Sequence, residues 1–111
     1  MNAKKELQEI LEGKAKIKCA TITSDKSYYE DEHLIFKLML NYTDADLVNF
    51  YNSLDYEYDN GYGGQELFGT VWLEDGTWLT RGEYDGSEWW EYNKLPEIPA
   101  YLLEIPARLL V

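Results

Sequence analysis

The sequence predicts an α+β domain with an antiparallel sheet of about five strands and two helices packed on one face. Three observations carry that expectation. Two short stretches, residues 3–12 and 43–54, repeat their apolar residues with helical period. Between and after them run alternating or apolar segments of strand length. Two Asp-Gly pairs, Asp75-Gly76 and Asp85-Gly86, punctuate the last third as hairpin turns. A length of 111 residues suits one domain, with residues 1–93 as its core and 94–111 as a proline-containing tail packed on the surface.

The first helix is expected over residues 3–12, where Leu7, Ile10 and Leu11 stand at i, i+3 and i+4 and Gly13 offers a stop. So short a helix needs a surface to dock on. Residues 15–23 alternate lysine with apolar residues and read as a strand with one wet face. The run His33–Tyr42 is the most apolar in the chain and is expected as a central strand antiparallel to the first. Thr43 then caps a second helix, with Asp44 and Asp46 in the first turn where the helix dipole favours acids. Its apolar face is Leu47, Val48, Phe50, Tyr51 and Leu54. Residues 55–59 alternate acids with tyrosines as a strand would, and Gly61, Gly63 and Gly64 break the pattern.

The last third reads as a three-stranded meander over 67–73, 78–84 and 87–92. With two-residue turns, Leu73 opposes Trp78, Trp72 opposes Leu79, Leu79 opposes Tyr92 and Arg81 opposes Trp90. That register puts Trp72, Leu79, Arg81, Trp90 and Tyr92 on one face, and Val71, Leu73, Trp78 and Trp89 on the other. It stacks Arg81 on Trp90 and sets Glu83 against Glu88, a repulsion that a longer turn, a cation or a partner must relieve. Pro96, Pro99 and Pro106 exclude a central strand from the tail, whose Leu102, Leu103, Ile105, Leu109, Leu110 and Val111 are apolar enough to dock or to drive homo-oligomerisation.

Charge narrows the function. The net charge of -11 opposes direct binding to nucleic acid and to anionic membranes. Residues 38–93 hold 12 acids and one base, Arg81, together with 13 of the 17 aromatics, whereas both flanks are neutral. No run is long and apolar enough to span a bilayer, and a single cysteine, Cys19, fits a reducing compartment.

No reactive motif stands out. Gly61-Tyr62-Gly63-Gly64 lacks the Lys-Ser or Lys-Thr of a phosphate loop, His33 is the sole imidazole, and Cys19 sits in a strand. No cofactor is expected. Asp55, Glu57, Asp59 and Glu66 occupy positions 1, 3, 5 and 12 of a calcium-loop spacing, but Asn60 stands where the bend needs glycine, so no metal is predicted. Carboxylates for glycoside hydrolysis can be drawn from Glu83, Asp85, Glu88 and Glu91 beside Trp89 and Trp90, yet a domain this small offers little cleft to hold them. What remains is a partner-binding surface that interleaves acids with rings: Asp55, Glu57, Asp59, Glu83, Asp85, Glu88 and Glu91 as charge, with Tyr56, Tyr58 and Tyr62 as anchors.

Asp59-Asn60-Gly61-Tyr62-Gly63-Gly64-Gln65-Glu66-Leu67-Phe68-Gly69-Thr70-Val71-Trp72, then Asp75-Gly76-Thr77-Trp78 and Arg81-Gly82-Glu83-Tyr84-Asp85-Gly86-Ser87-Glu88-Trp89-Trp90-Glu91-Tyr92, resemble small hypothetical proteins of bacteriophages and prophages. The likeness covers about half the chain and carries no catalytic residue. It implies a phage-encoded protein acting in the cytoplasm of a bacterial host. Small acidic phage proteins often inhibit host defence, some as nucleic-acid mimics that block CRISPR or restriction complexes. The expected function is accordingly a non-enzymatic inhibitor of the anti-CRISPR or anti-restriction type, its partner a host protein with a basic groove. The alternatives are a structural or assembly protein that oligomerises through its apolar tail, for instance as a homodimer, and a calcium- or carbohydrate-binding protein.

Overall fold

The computed structural model describes residues 1–25, 34–61 and 64–103. Eight elements follow in order: α1 (Ala3–Leu11), β1 (Ile17–Ser24), β2 (Leu34–Leu38), α2 (Asp44–Ser53), β3 (Leu67–Leu73), β4 (Trp78–Tyr84), β5 (Ser87–Asn93) and α3 (Ala100–Leu103). The strands form one antiparallel sheet in the order β2-β1-β3-β4-β5, with α1 and α2 packed against it, so the α+β expectation holds.

Both main helices begin where their caps dictate. The Asn2 side chain accepts a hydrogen bond from the Lys5 N–H, and Thr43 forms a capping box with Asp46. Leu7 is fully buried, with Ile10 and Leu11 packed beside it. In α2, Phe50 and the following Leu54 enter the core, but Val48 faces solvent. The core lies between these helices and one face of the sheet, built from Ile22, Leu67, Val71, Leu73, Leu79 and Trp90 among others.

Three expectations need correction. The apolar run after His33 is not a central strand: β2 is the edge, because β1 takes β3 as its second neighbour. Leu34, Ile35, Met39 and Leu40 of that run stay exposed, and His33 itself lies outside the described residues. The β3–β4 turn has three residues, not two. The Gly76 N–H donates to Leu73 O at 3.2 Å, the Leu73 N–H donates to Thr77 O at 2.9 Å, and Gly76 is left-handed at φ 86°. Trp72 therefore opposes Trp78 and Val71 opposes Leu79. A one-residue slip exchanges faces, so Val71 and Leu73 join Leu79 in the core while Trp72 turns outward. Third, residues 94–103 do not pack across the surface; every one of them is exposed. The molecule has a long axis of 67 Å and a radius of gyration of 18.3 Å, against about 13 Å for a compact domain of this length.

The β4–β5 hairpin follows its expected register, with Arg81 opposite Trp90 and Glu83 opposite Glu88. Asp85 and Gly86, at φ 51° and 86°, make the type I′ turn that a two-residue hairpin loop prefers. At Gly69 the requirement for glycine is steric. A Cβ there would lie 2.3 Å from the Thr21 carbonyl oxygen, and φ is 151°.

Candidate functional site

The I′ turn fixes which side chains of β4 and β5 face inward, and two of them are charged. The Arg81 side chain is only 2% exposed and that of Glu88 0%. A buried guanidinium needs partners for both charge and N–H groups. Arg81 Nη2 donates to Glu88 Oε1 at 2.5 Å and to the Tyr58 hydroxyl at 3.2 Å, and Nη1 donates to Glu6 Oε1 at 3.0 Å. Its guanidinium also lies 4.9 Å from the centre of the Trp90 ring. Glu88 accepts two further hydrogen bonds, from the Glu66 N–H at 2.7 Å and the Leu67 N–H at 2.9 Å. The expected Glu83–Glu88 repulsion is thus relieved by a cation, Arg81, while Glu83 accepts from the Gly86 N–H at 2.9 Å.

Tyr58 closes the other side. Its hydroxyl donates to Glu6 Oε1 at 2.6 Å. Burial, reinforced by that bond to Glu6, pushes the phenol well above its ordinary value. Burial alone draws the Arg81 guanidinium down, but Glu6, Tyr58 and Glu88 outweigh it, so its net shift is upward and it stays cationic. The Asn60 side chain donates to Glu88 O at 2.8 Å and accepts from the Glu88 N–H at 2.9 Å. Together these bonds tie residues 58–60 to the hairpin. The cluster holds charge in place.

The described ones among the expected site residues separate into five places. Tyr58 and Glu88 are buried in the cluster, so neither meets a partner in this fold; that corrects their reading as an anchor and as surface charge. Tyr56 is half-buried with its ring 6.0 Å from that of Phe36, a packing contact where a free anchor was expected. Asp55 and Glu57 lie beside the chain's start. Asp55 accepts from Asn2 Nδ2 at 3.0 Å, and Glu57 pairs with the terminal ammonium at 3.1 Å. Glu91 is on the outer sheet face, where it accepts from Trp89 Nε1 at 3.1 Å. Tyr62 lies outside the described residues.

Asp59, Glu83 and Asp85 do come together at one end. The Gly61 N–H donates to Gly86 O at 2.9 Å, bringing the segment after Tyr58 onto the β4–β5 turn. The Asp25 N–H donates to Glu66 O at 2.8 Å, adding the end of β1. Asp25, Asp59, Glu83 and Asp85 are all exposed there. Lys14 and Lys16 lie at the opposite end, where the Glu74 N–H donates to Lys16 O. The molecule therefore has an acidic end and a mixed one.

The chemistry drawn from spacing alone is not assembled. Among the described residues no three His, Cys, Asp or Glu side chains, Asp55, Glu57, Asp59 and Glu66 included, lie together as a metal site would need. Glu88 points into the core and Glu91 outward, which breaks up the carboxylate set proposed for glycoside hydrolysis. No helix among the described residues is long and apolar enough to cross a membrane.

Two features escaped sequence reasoning. One is the Arg81 cluster, whose Glu6 partner lies 75 residues away; its signal was the solitary cation among 12 acids. The other is the outer sheet face. Sheets covered on one side usually show polar residues on the other. Here Trp72 and Trp78 oppose each other across β3 and β4, Phe68 and Trp89 lie nearby, and Trp72, Phe68 and Trp89 are 43%, 41% and 38% exposed. Trp89 pairs with Gly82 and covers it, so that an added Cβ would fall 2.7 Å from its Nε1. Comparison with protein-family models, with curated proteins and with solved structures gave no match, and these side chains are what a functional reading has to stand on.

Proposed function

We propose that this chain is a non-enzymatic inhibitor that places its acidic end in a basic nucleic-acid-binding site of a host defence complex. The observation that carries the reading is the gathering of Asp25, Asp59, Glu83 and Asp85 at the β4–β5 turn, away from Lys14 and Lys16. Carboxylates held on rigid turns can occupy positions that phosphates otherwise take, and an uneven field speeds the encounter with a basic partner. The buried cluster serves this surface indirectly. Arg81, Glu88 and Asn60 fix the segment that carries Asp59 against the hairpin that carries Glu83 and Asp85. Phage origin, the bacterial cytoplasm as the place of action and a defence complex as target rest on the likeness of residues 59–92 to phage proteins.

The test is binding of the full chain to purified CRISPR and restriction complexes at low and high salt. Charge reversal at the acidic end (Asp59→Lys, Glu83→Lys, Asp85→Lys) is expected to slow association by roughly tenfold or more, with the same reversal at Glu74 and Asp75 having little effect. Binding indifferent to salt, or equally sensitive to both sets of reversals, overturns the reading.

A further inference from the structure

We infer that the outer face of the sheet is the docking surface for the C-terminal arm of a second copy of this chain. The inference is independent of the inhibitor reading, since it uses the face and the arm and not the acidic end.

The first argument is electrostatic. On a chain of net charge -11, the outward positions of β3, β4 and β5 carry a single carboxylate, Glu91, and it is engaged by Trp89 Nε1. Thr70 and Thr80 pair across the middle, with Trp72 opposite Trp78 beside them. A face kept only wet would share the acid coat of the rest of the molecule. This one carries exposed aromatic side chains on either side of that threonine pair, and exposed aromatics with little charge among them mark a contact surface. Two copies can meet through it without opposing their charge.

The second argument is the arm. Leu95, Ile98, Tyr101, Leu102 and Leu103 are each more than half exposed. Residues 94–103 include one acid, Glu97, and one base, Lys94, so the arm is as neutral as the face. Pro96 and Pro99 keep it from pairing as a sixth strand. Six extended residues and one helical turn reach about 26 Å, enough to cross five strands spaced about 4.8 Å apart.

The third argument decides between the arm's own sheet and a neighbour's. The arm leaves β5 at Asn93, which opposes Trp78, so it starts beside the aromatic pair, yet residues 94–103 stay exposed instead of covering their own sheet. In a twofold pair each arm crosses to the other copy's Trp72 and Trp78, and both apolar surfaces are covered at once.

Sedimentation of the full chain over a range of concentrations tests this. The expected mass rises from 13.0 kDa to twice that and stops. The arm variant Leu95→Ser/Ile98→Ser and the face variant Trp72→Thr/Trp78→Thr should each weaken the dimer by roughly tenfold or more. Cys19, which opposes Trp72 in β1, supplies a readout that does not require the face variant to fold. Its labelling by a thiol reagent should be slower in the wild-type dimer than in the arm variant. A monomer at every concentration overturns the inference, as does growth beyond the dimer. A dimer weakened by the arm variant, but with Cys19 labelled at the same rate in both, overturns the assignment of the face.

Discussion

Replacing Arg81 by methionine should cost this protein a large part of its stability. The guanidinium is 2% exposed and meets Glu88, 0% exposed, at 2.5 Å and Glu6, 12% exposed, at 3.0 Å. Methionine fills much of the space and keeps contact with Trp90 but leaves two carboxylates without a cation. Breaking a buried pair by removing one partner costs about 3–5 kcal/mol. The lower part of that range applies, because Glu88 keeps the Glu66 and Leu67 N–H donors and Glu6 has some access to water. At about 4 °C per kcal/mol for a domain of this size, the melting temperature should fall by roughly 12 °C. The companion variant Glu88→Gln removes that charge and keeps one oxygen, an acceptor for one of the two N–H groups. The double variant should recover much of the loss, since no fully buried charge remains. Urea unfolding followed by tryptophan fluorescence gives all four corners of the cycle. An Arg81→Met protein within about 1 kcal/mol of wild type, or a cycle in which the two losses simply add, would refute the view that these charges depend on each other.

Other expectations follow from the same geometry. Gly69→Ala should destabilise by roughly 3 kcal/mol or more, or prevent folding, because the new Cβ meets the Thr21 backbone at 2.3 Å in a φ region that favours glycine; circular dichroism and thermal melts check it. Thr43→Ala removes the capping box of α2 and should cost about 1 kcal/mol in the same melts. Because burial and Glu6 raise the folded-state value of the Tyr58 phenol above its unfolded value near 10, the unfolded chain gives up that proton first. The contribution is fully present below about pH 10 and is lost as pH rises further, so stability should fall with pH there. Tyr58→Phe should start less stable by about 1–2 kcal/mol at neutral pH and decline less steeply in alkali; parallel curves for the two proteins would count against the assignment.

The sequence was most informative where one local rule set the outcome. Asn2 and Thr43 mark helix starts through side chains that reach only three residues ahead. Asp85-Gly86 determined the β4–β5 register, and with it Arg81 over Trp90 and Glu83 against Glu88, because both turn residues accept positive φ. The same rule misled at Asp75-Gly76. Glu74 joined that turn, Gly76 alone took positive φ, and one extra residue sent Trp72 to the opposite face. Apolar content misplaced β2, because strand order depends on the distant pairing of β1 with β3. The acidic segment was visible as composition, but its division among an exposed end, the outer sheet face and the buried cluster was not. Glu88 and Glu91 sit three positions apart on a strand and so point to opposite faces, one into the core and one to solvent.

The side chain of Asn60 imitates a strand. It offers Glu88 one donor and one acceptor, as a neighbouring backbone would. β5 is the rim of the sheet, and its Trp89-Trp90-Glu91-Tyr92 stretch has the composition of a segment that recruits identical chains into fibrils. One amide thus plugs the first rung of a ladder that would otherwise stand open. Its loss should show less as unfolding than as a slow drift toward insoluble, dye-binding aggregates.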